Sequence, residues 1–373
     1  MTSPDASEPG AAAFRYVHSP QFPALLEQLR LSLAVTTYQA GKLMIVRSAG
    51  NKLSMLLRSF ERPMGLAVSE DLDRMVIGTR RMVWTLRSAP EIAPQLEPVG
   101  RHDGCFVPRL AHVTGDMHGH EIAVINREIW LVNTQFSCLC VLDDEGDWSF
   151  EPQWKPPFID RLAGEDRCHL NGMAIEDDRV RYVTAMGETN EPHGWRPGKT
   201  TGGVIVDVAT NEIVTRGLCM PHSPRVHQGQ LYVLDSGHGH LCRVDRASGE
   251  RTTVAALPGY ARGLAFCDRF AFVGLSLIRE KDIFGGMPIA AQYDETQRKC
   301  GVCVVDLSTG GLVAFLYFEA GTAEIFDIQL LPGMRWPTVV GFQDETLDGI
   351  MIAPPGAWLP GAQLPVRPAR PAP

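Results

Sequence analysis

Several features that identify common protein classes are missing from this chain. None of its apolar runs reaches the roughly 20 residues that span a bilayer. Its 35 Lys and Arg residues are outnumbered by 43 Asp and Glu residues, which leaves no basic surface for nucleic acid or an acidic membrane. The N-terminus, MTSPDASEPGAAAF, lacks the basic and apolar segments of a signal peptide. We therefore expect a soluble cytoplasmic protein that has neither nucleic acid nor a membrane as a partner.

Helical periodicity and internal linkers are also scarce. Only FPALLEQLRL, residues 22–31, has the i, i+3, i+4 apolar spacing of a short amphipathic helix. With 373 residues, 45% of them hydrophobic, the chain can bury a large core. We predict a disordered leader over residues 1–20, a single all-β domain over 21–355 and an extended proline-rich tail over 356–373.

Cysteine is present in an odd number, nine, and lies inside strand-like runs. This placement argues for reduced thiols. The pairs in CLC (138–140) and CGVC (300–303) could bind a metal or act in redox chemistry, but a single CxxC without a second pair is a weak signal. We favour packed thiols, because free cysteine behaves as a small buried hydrophobe.

A degenerate motif repeats along the chain and indicates the fold. Its central positions are 39 to 64 residues apart, an interval that suits the four-stranded blades of a β-propeller. The six copies are RPMGLAV (62–68), HGHEIAV (118–124), HLNGMAI (169–175), PHSPRV (221–226), YARGLAF (260–266) and EIFDIQL (324–330).

A second series of strand-like runs gives a different count. Seven hairpin patterns start near residues 33, 75, 130, 181, 231, 271 and 338. We therefore favour seven blades, with six as the alternative, and expect the N- and C-terminal segments to close the ring. Because only six copies of the first motif exist, the hairpin at 33–46 takes its inner strand from elsewhere or uses a degenerate one.

The propeller register brings distant polar residues to one end of the ring. The loop that enters each inner strand and the loop between the second and third strands emerge on the same face. We expect a ligand site there, with Glu121, Glu188, Tyr260, Arg262 and His238 as candidate catalytic residues.

Histidines dominate this predicted site. Imidazole is the commonest ligand of Zn, Fe and Mn, and three consecutive blades supply His118, His120, His169 and His222. We expect these four to bind a divalent metal. The alternative is that they make hydrogen bonds to backbone groups in a polar channel.

Two family resemblances extend this interpretation. HLNGMA resembles the PNGxA motif of gluconolactonase and senescence-marker-type propellers, in which the asparagine binds a divalent cation; Asn171 matches it. Oxygen ligands would favour Ca or Mg, whereas the histidines favour Zn, Fe or Mn. Over about residues 20–355, TTYQAGKL, WLVNTQFSCL, YVTAMGETNEPHGWR and LYVLDSGHG resemble a bacterial family of hypothetical β-propeller proteins. That resemblance implies the fold and leaves the chemistry open.

Two long insertions complete the predicted pocket, at residues 186–203 and 276–299. Such loops are functional or merely tolerated. With Trp195, Arg196, Phe284 and Met287, they could close over a ligand, and Arg262 could bind a carboxylate or phosphate unless it pairs with Glu324 or Asp327.

The sequence is compatible with three functions. The first is a metal-dependent hydrolase or lyase acting on a small molecule or peptide, similar to propeller lactonases and to the hydroxyglycine-cleaving lyase with three zinc-binding histidines. The second is a non-catalytic ligand- or peptide-binding scaffold, and the third is a His-ligated iron oxygenase. A serine hydrolase is disfavoured, since no GxSxG occurs.

Overall fold

Short runs rich in β-branched and aromatic residues form strands throughout the computed structural model, which describes residues 14–143, 145–277 and 285–353. In chain order the strands are β1 (Arg15–His18), β2 (Leu31–Thr37), β3 (Lys42–Ala49), β4 (Lys52–Ser59), β5 (Leu66–Val68), β6 (Arg74–Gly78), β7 (Met82–Ser88), β8 (Gly104–Val113), β9 (Gly119–Ile125), β10 (Glu128–Asn133), β11 (Cys138–Val141), β12 (Glu151–Trp154), β13 (Leu170–Glu176), β14 (Arg179–Ala185), β15 (Gly203–Asp207), β16 (Ile213–Leu218), β17 (Pro221–His227), β18 (Gln230–Asp235), β19 (His240–Val244), β20 (Arg251–Ala256), β21 (Tyr260–Cys267), β22 (Phe270–Ser276), β23 (Cys300–Asp306), β24 (Gly311–Ala320), β25 (Asp327–Pro332) and β26 (Pro337–Val339).

Helical segments are few. The two α-helices are α1 (Gln21–Leu29) and α2 (Ile289–Gln292), and single 3-10 turns occupy Ala93–Gln95, Ser236–His238 and Glu345–Gly349. In the part of the chain that the structure describes, no helix is long and apolar enough to cross a membrane.

Six antiparallel sheets form the blades of a β-propeller, which confirms the predicted fold class. From inner to outer strand, blade 1 is β25-β2-β3-β4, blade 2 is β5-β6-β7-β8, blade 3 is β9-β10-β11-β12, blade 4 is β13-β14-β15-β16, blade 5 is β17-β18-β19-β20 and blade 6 is β21-β22-β23-β24. Each inner strand contacts the inner strand of the next blade, and the contact between β25 and β5 completes the circle.

The six sheets match the six copies of the motif and correct the preference for seven blades. The seventh hairpin pattern, near residue 338, does not form a hairpin. Its first part is β26, which pairs in parallel with β8 at the outer edge of blade 2, and a 3-10 turn follows at Glu345–Gly349. A β-branched run at an outer edge has the same composition as a strand inside a blade, so composition alone miscounts the ring.

The chain ends close the ring as predicted, within blade 1. Strand β25 pairs with β2, Leu31 lying opposite Pro332 and Thr36 opposite Asp327. The hairpin at 33–46 therefore takes its inner strand from the C-terminal copy of the motif. Blade 1 is held together by strands about 300 residues apart in sequence, so the ring closes only when both termini have folded.

The N-terminal segment packs along the outside of the ring. Strand β1 adds to the outer edge of blade 6 by pairing with β24, so regular structure begins before the predicted domain boundary at residue 21. Helix α1 begins one residue before the predicted segment and ends at Leu29, where Arg30 adopts φ +53°. Its Phe22 and Leu26 are buried in a cluster between blades 1 and 6. Residues 1–13 and the predicted tail over 356–373 lie outside the described residues.

The nine cysteines are free thiols, and all but Cys267 are buried. Cys300 and Cys303 lie on β23 but pack into different hydrophobic clusters, because residues three apart on a strand point to opposite faces. The CGVC pair therefore shares no common ligand position. Cys138 and Cys140 pack together into one cluster with apolar neighbours such as Leu131, as expected for packed thiols.

Candidate functional site

A cavity of about 320 Å³ opens at one end of the ring axis. It is built as the register predicts, from loops that enter the inner strands and from loops between the second and third strands. The residues that line it are Tyr38, Gln39, Met64, His118, His120, Asp166, His169, Met186, Trp195, Arg196, Met220, His222, Arg262, Glu324 and Phe326. All four histidines predicted as metal ligands are among them.

His120 and His222 occupy equivalent positions in blades 3 and 5. In each ring, Nδ1 lies 2.9 Å from the carbonyl oxygen two residues earlier, that of His118 or Met220. A hydroxyl fourteen residues later also lies close to Nδ1, at 2.7 Å from Thr134 Oγ1 and 3.0 Å from Ser236 Oγ. Since a carbonyl oxygen only accepts hydrogen bonds, Nδ1 carries the proton in both rings, and Nε2 keeps its lone pair.

The backbone before these histidines explains the shared geometry. His118 and Met220 both adopt positive φ, +51° and +49°, which non-glycine residues seldom do. At both positions this left-handed turn leads the backbone into the inner strand and leaves the carbonyl oxygen within reach of the imidazole. The same conformation at Arg62 and His169 precedes the inner strands of blades 2 and 4.

His169 reaches the same protonation pattern through a carboxylate. Its Nδ1 lies 2.8 Å from Oδ1 of the buried Asp166, whose Oδ2 accepts a hydrogen bond from Trp195 Nε1 at 3.1 Å. Burial opposes the charge on Asp166, but the charge of His169 and these hydrogen bonds hold the pKa of the carboxyl below its usual value. His193 Nδ1 lies 3.6 Å away and adds to the effect. Asp166 therefore stays ionised and fixes the His169 ring.

The buried imidazoles are neutral at physiological pH. Burial lowers the pKa of both His120 and His222 well below the ordinary value, and the positive charge of Arg262 and the neighbouring His169 lower it further. The rings of His120 and His169 lie edge to face with centroids 4.8 Å apart. His120 and His222, as neutral rings whose Nδ1–H is already bonded, are in the form that binds a metal through Nε2.

Arg262 places a positive charge beside the histidines. It is buried, and its Cζ lies 3.4 Å from the centroid of the Phe326 ring. Nη1 is 3.3 Å from Oε1 of Glu324, which also lines the cavity. The predicted alternative partner of Arg262, Asp327, belongs to a different network.

That second network closes the channel below the cavity. Arg225 Nη2 contacts Glu121 and lies 3.9 Å from Oδ1 of Asp327. Its other nitrogens donate to backbone oxygens of Leu264, Met173 and Pro224, at 3.0, 3.2 and 2.9 Å. The guanidinium thereby joins blades 1, 3, 4, 5 and 6 at the axis. Glu121 and Arg225 line another cavity of about 340 Å³ on the far side of this network.

Five of the predicted site residues do not line the histidine cavity: Tyr260, which packs behind His222, and four that are engaged elsewhere. Glu121 belongs to the axial network. Glu188 is partly exposed and pairs with Arg216, and His238 pairs with Asp235. Asn171 is buried with Oδ1 accepting the Thr184 hydroxyl at 2.8 Å. In each case a partner side chain takes up the polar group; that of His238 is only three residues away in sequence, whereas those of Glu121 and Glu188 are distant.

Tyr260 and His118 flank the cavity in different ways. Tyr260 is buried against the His222 ring, with its hydroxyl 3.5 Å from Nδ1. Burial raises the pKa of this phenol well above its ordinary value, so it remains protonated. His118 lies at the rim with its side chain 43% exposed, and its Nε2 is 3.3 Å from Asp116.

The two predicted insertions meet beside the cavity. Trp195 and Arg196 of the first line it, while Met287 and Ile289 of the second pack with Trp195 in one buried cluster. Lys199 donates to the carbonyl oxygen of Gly285 across the junction at 2.8 Å. Residues 278–284, including the predicted Phe284, lie outside the described residues.

Asp166, Thr134, Ser236 and Phe326 were not predicted as site residues. The first three hold histidine Nδ1 atoms, and Phe326 supports Arg262. A signal exists for the hydroxyls, since Thr134 and Ser236 both follow their histidine by fourteen residues, the length of one inner hairpin.

The donor chemistry of this site suits a metal, but the side chains are not arranged as a finished coordination shell. Across residues 14–143, 145–277 and 285–353, no three His, Cys, Asp or Glu side chains stand where they could together hold a metal ion. Binding would thus require the imidazoles of His120, His169 and His222 to move closer together.

Comparison with known proteins supports the fold and names no chemistry. A family model described as a domain of unknown function, DUF4915, matches residues 20–340. No curated protein matches the chain. The chain is similar to one in a crystal structure of a Nidogen/Laminin complex, with 11% identity, a TM-score of 0.53 and coverage of 81% of this chain and 99% of that one. For a crystal structure of a protein of unknown function from Bacteroides caccae, the identity is 9%, the TM-score 0.49 and the coverage 81% and 99%. At 11% identity, the likeness to the chain of the Nidogen/Laminin complex shows the fold alone.

Proposed function

Because the chain belongs to the DUF4915 family, whose description assigns no activity, we propose a function from the axial cavity itself: a metal-dependent hydrolase or lyase acting on a small molecule. One observation carries the proposal. His120, His169 and His222 each have Nδ1 bonded to an acceptor, and all three line one cavity. Metal-binding histidines almost always donate their second ring N–H in this way.

The three imidazoles are the proposed ligands, and they favour Zn, Fe or Mn over Ca or Mg. Bound there, the metal would supply Lewis acidity toward a carbonyl or hydroxyl group. Asn171 has no place in this set, because its Oδ1 is already occupied by Thr184 and it lies outside the cavity lining.

Other residues have separate roles in the proposed chemistry. His118 is the candidate for proton transfer, because it sits at the rim, is accessible to solvent and is oriented by Asp116. Tyr260 does not act as the base, because burial keeps its phenol protonated. The insertion carrying Trp195 and Arg196 covers the cavity and limits the ligand to a small molecule or a peptide end.

A non-catalytic binding scaffold is the second candidate. It is favoured by the absence, among the described residues, of a preassembled group of three metal-binding side chains. Under this alternative, the histidine lone pairs would accept hydrogen bonds from hydroxyl or amine groups of a ligand. The third function, a His-ligated iron oxygenase, shares the same ligands and differs from the hydrolase in the identity of the metal.

Metal stoichiometry separates the enzyme from the scaffold. We expect elemental analysis of the purified protein, after incubation with zinc and desalting, to give one metal per chain. His169→Ala should lower this value several-fold. His238→Ala is the matched control, because His238 also pairs with an aspartate through Nδ1, at 3.1 Å, but does not line the cavity. A folded protein that retains no metal would contradict the enzyme and favour the scaffold.

The compartment is a separate proposal. The nine free cysteines suit a reducing environment such as the cytoplasm, where thiols stay unpaired.

A further inference from the structure

We propose that Arg262 is an anion subsite, and that the ligand of the axial cavity carries a carboxylate which this guanidinium binds. The inference rests on the proposed function only in locating the ligand within the histidine cavity. It deepens that function by naming a substrate class, small carboxylic acids.

The guanidinium of Arg262 has N–H donors that no protein acceptor among the described residues uses. A guanidinium has five N–H donors. Within the described residues, the acceptor bonded to Arg262 is Glu324 Oε1, at 3.3 Å from Nη1. The side chain is buried and lines the cavity, so its remaining donors can be satisfied there only by a ligand or by water.

Arg225 provides an internal comparison. This second buried arginine lies on the same axis, and all its nitrogens are engaged, by three backbone oxygens and by Glu121. Arg225 is thus saturated by the protein, as a structural arginine should be, whereas Arg262 is not. The difference points to binding rather than to packing as the role of Arg262.

The protein also fixes the orientation of the Arg262 guanidinium before a ligand binds. The guanidinium stacks on Phe326 with Cζ 3.4 Å from the ring centroid, which fixes the plane in which its donors point. A planar fork held in this way matches the two oxygens of a carboxylate. Arg262 lines the same cavity as His120 and His222. A carboxylate bound to Arg262 would place the rest of a small ligand beside them.

Charge favours a monoanion over phosphate. Glu324 already offsets part of the positive charge of Arg262, and the other arginine of the lining, Arg196, is exposed and lies over Trp195. A phosphate dianion would bring two charges to a cavity with one partly neutralised buried cation.

The test uses acetate as the probe and the neutral isostere acetamide as its control, with protein kept metal-free by EDTA. The readout is the shift of the thermal unfolding midpoint with probe concentration at constant ionic strength. We expect acetate to raise the midpoint of the wild type and acetamide to leave it unchanged. Glu324→Gln should strengthen acetate binding roughly tenfold, equivalent to about 1.4 kcal/mol, because Arg262 loses its competing anion.

Further variants decide the assignment. Arg262→Gln should abolish the acetate response, and Arg216→Gln, outside the cavity lining, should keep it. If Arg262→Gln does not fold, Glu324→Gln remains decisive, because a purely structural pair would give lower stability and no gain in acetate affinity. An equal response in Arg262→Gln, an unchanged affinity in Glu324→Gln, or preference for phosphate over acetate would each overturn the inference. Since metal is absent throughout, these results stand apart from the stoichiometry that tests the enzyme.

Discussion

The Nδ1 atom of His169 lies 2.8 Å from Oδ1 of Asp166, and this contact determines which ring nitrogen is available to a ligand. The ionised carboxylate can only accept, so the proton of this hydrogen bond is on Nδ1, and Nε2 is the ring nitrogen left for a ligand. His238 and Asp235 form the same pair outside the cavity lining, at 3.1 Å. The two pairs thus share their chemistry and differ in location, which makes one the natural control for the other.

Asp166→Asn should weaken metal binding without unfolding the protein. Loss of an outer-shell carboxylate typically costs 10- to 100-fold in metal affinity, since the ring is no longer oriented or made more basic. Competition with a chelator measures that affinity. The free energy of unfolding should fall by about 1–3 kcal/mol, because His169 and Trp195 must then share one amide oxygen. Asp235→Asn should leave metal affinity unchanged, and equal losses in both variants would contradict the role of Asp166.

The axial network predicts an unusual dependence of stability on pH. Burial raises the pKa of Glu121 to about 7 and that of Asp327 to about 6, and Arg225 offsets the effect only in part. Both values exceed those of an unfolded chain, so the native state binds more protons between about pH 4 and 7. These two carboxylates therefore contribute a free energy of unfolding that falls as pH rises through this range, whereas the depressed pKa values of His120 and His222 contribute one that rises.

Urea unfolding at a series of pH values measures this effect. Glu121→Gln removes one titrating group, so its free energy of unfolding relative to that of the wild type should increase from pH 4 to pH 7. Glu188→Gln is the control, because that carboxylate is partly exposed beside Arg216 and should leave the profile as in the wild type. A difference in stability between Glu121→Gln and the wild type that stays constant from pH 4 to 7 would contradict the raised pKa of Glu121.

Gly263 marks a close approach between blades 6 and 1. Its φ is +81°, and a Cβ there would lie 3.0 Å from the Cα of Asp327. We expect Gly263→Ala to destabilise the protein by more than about 1 kcal/mol, through backbone strain and displacement of β25. Gly229→Ala separates the two causes, since Gly229 has φ +71° and a Cβ added there would have no atom within 4 Å. Equal losses of stability in the two variants would show that backbone strain alone destabilises Gly263→Ala and would contradict a displacement of β25.

The repeating inner-strand motif was sufficient to predict the propeller, and its six copies gave the correct number of blades. The hairpin patterns misled, because β26 has strand composition yet lies at the outer edge of blade 2. The propeller register also predicted that His120, His169 and His222 lie at the same end of the ring axis, because every inner strand enters its blade from the same face.

The sequence did not show which distant side chains form ion pairs with each other. Glu121 follows His120 directly, yet the alternation of a strand sends its side chain into the axial network with Arg225. Whether a polar residue serves a ligand or a neighbour depends on groups more than 100 residues away, as with Glu121 and Arg225, and no local pattern records them.

X-ray absorption at the zinc edge of the zinc-loaded protein tests the central claim most directly, because it identifies the atoms that bind the metal. If His120, His169 and His222 are the ligands, the first shell will contain three imidazole nitrogens at about 2.0–2.1 Å, with any remaining position filled by oxygen. Sulfur at about 2.3 Å would place the metal on cysteines, and a shell of oxygen alone would remove the histidines from the site. Either result would contradict the account.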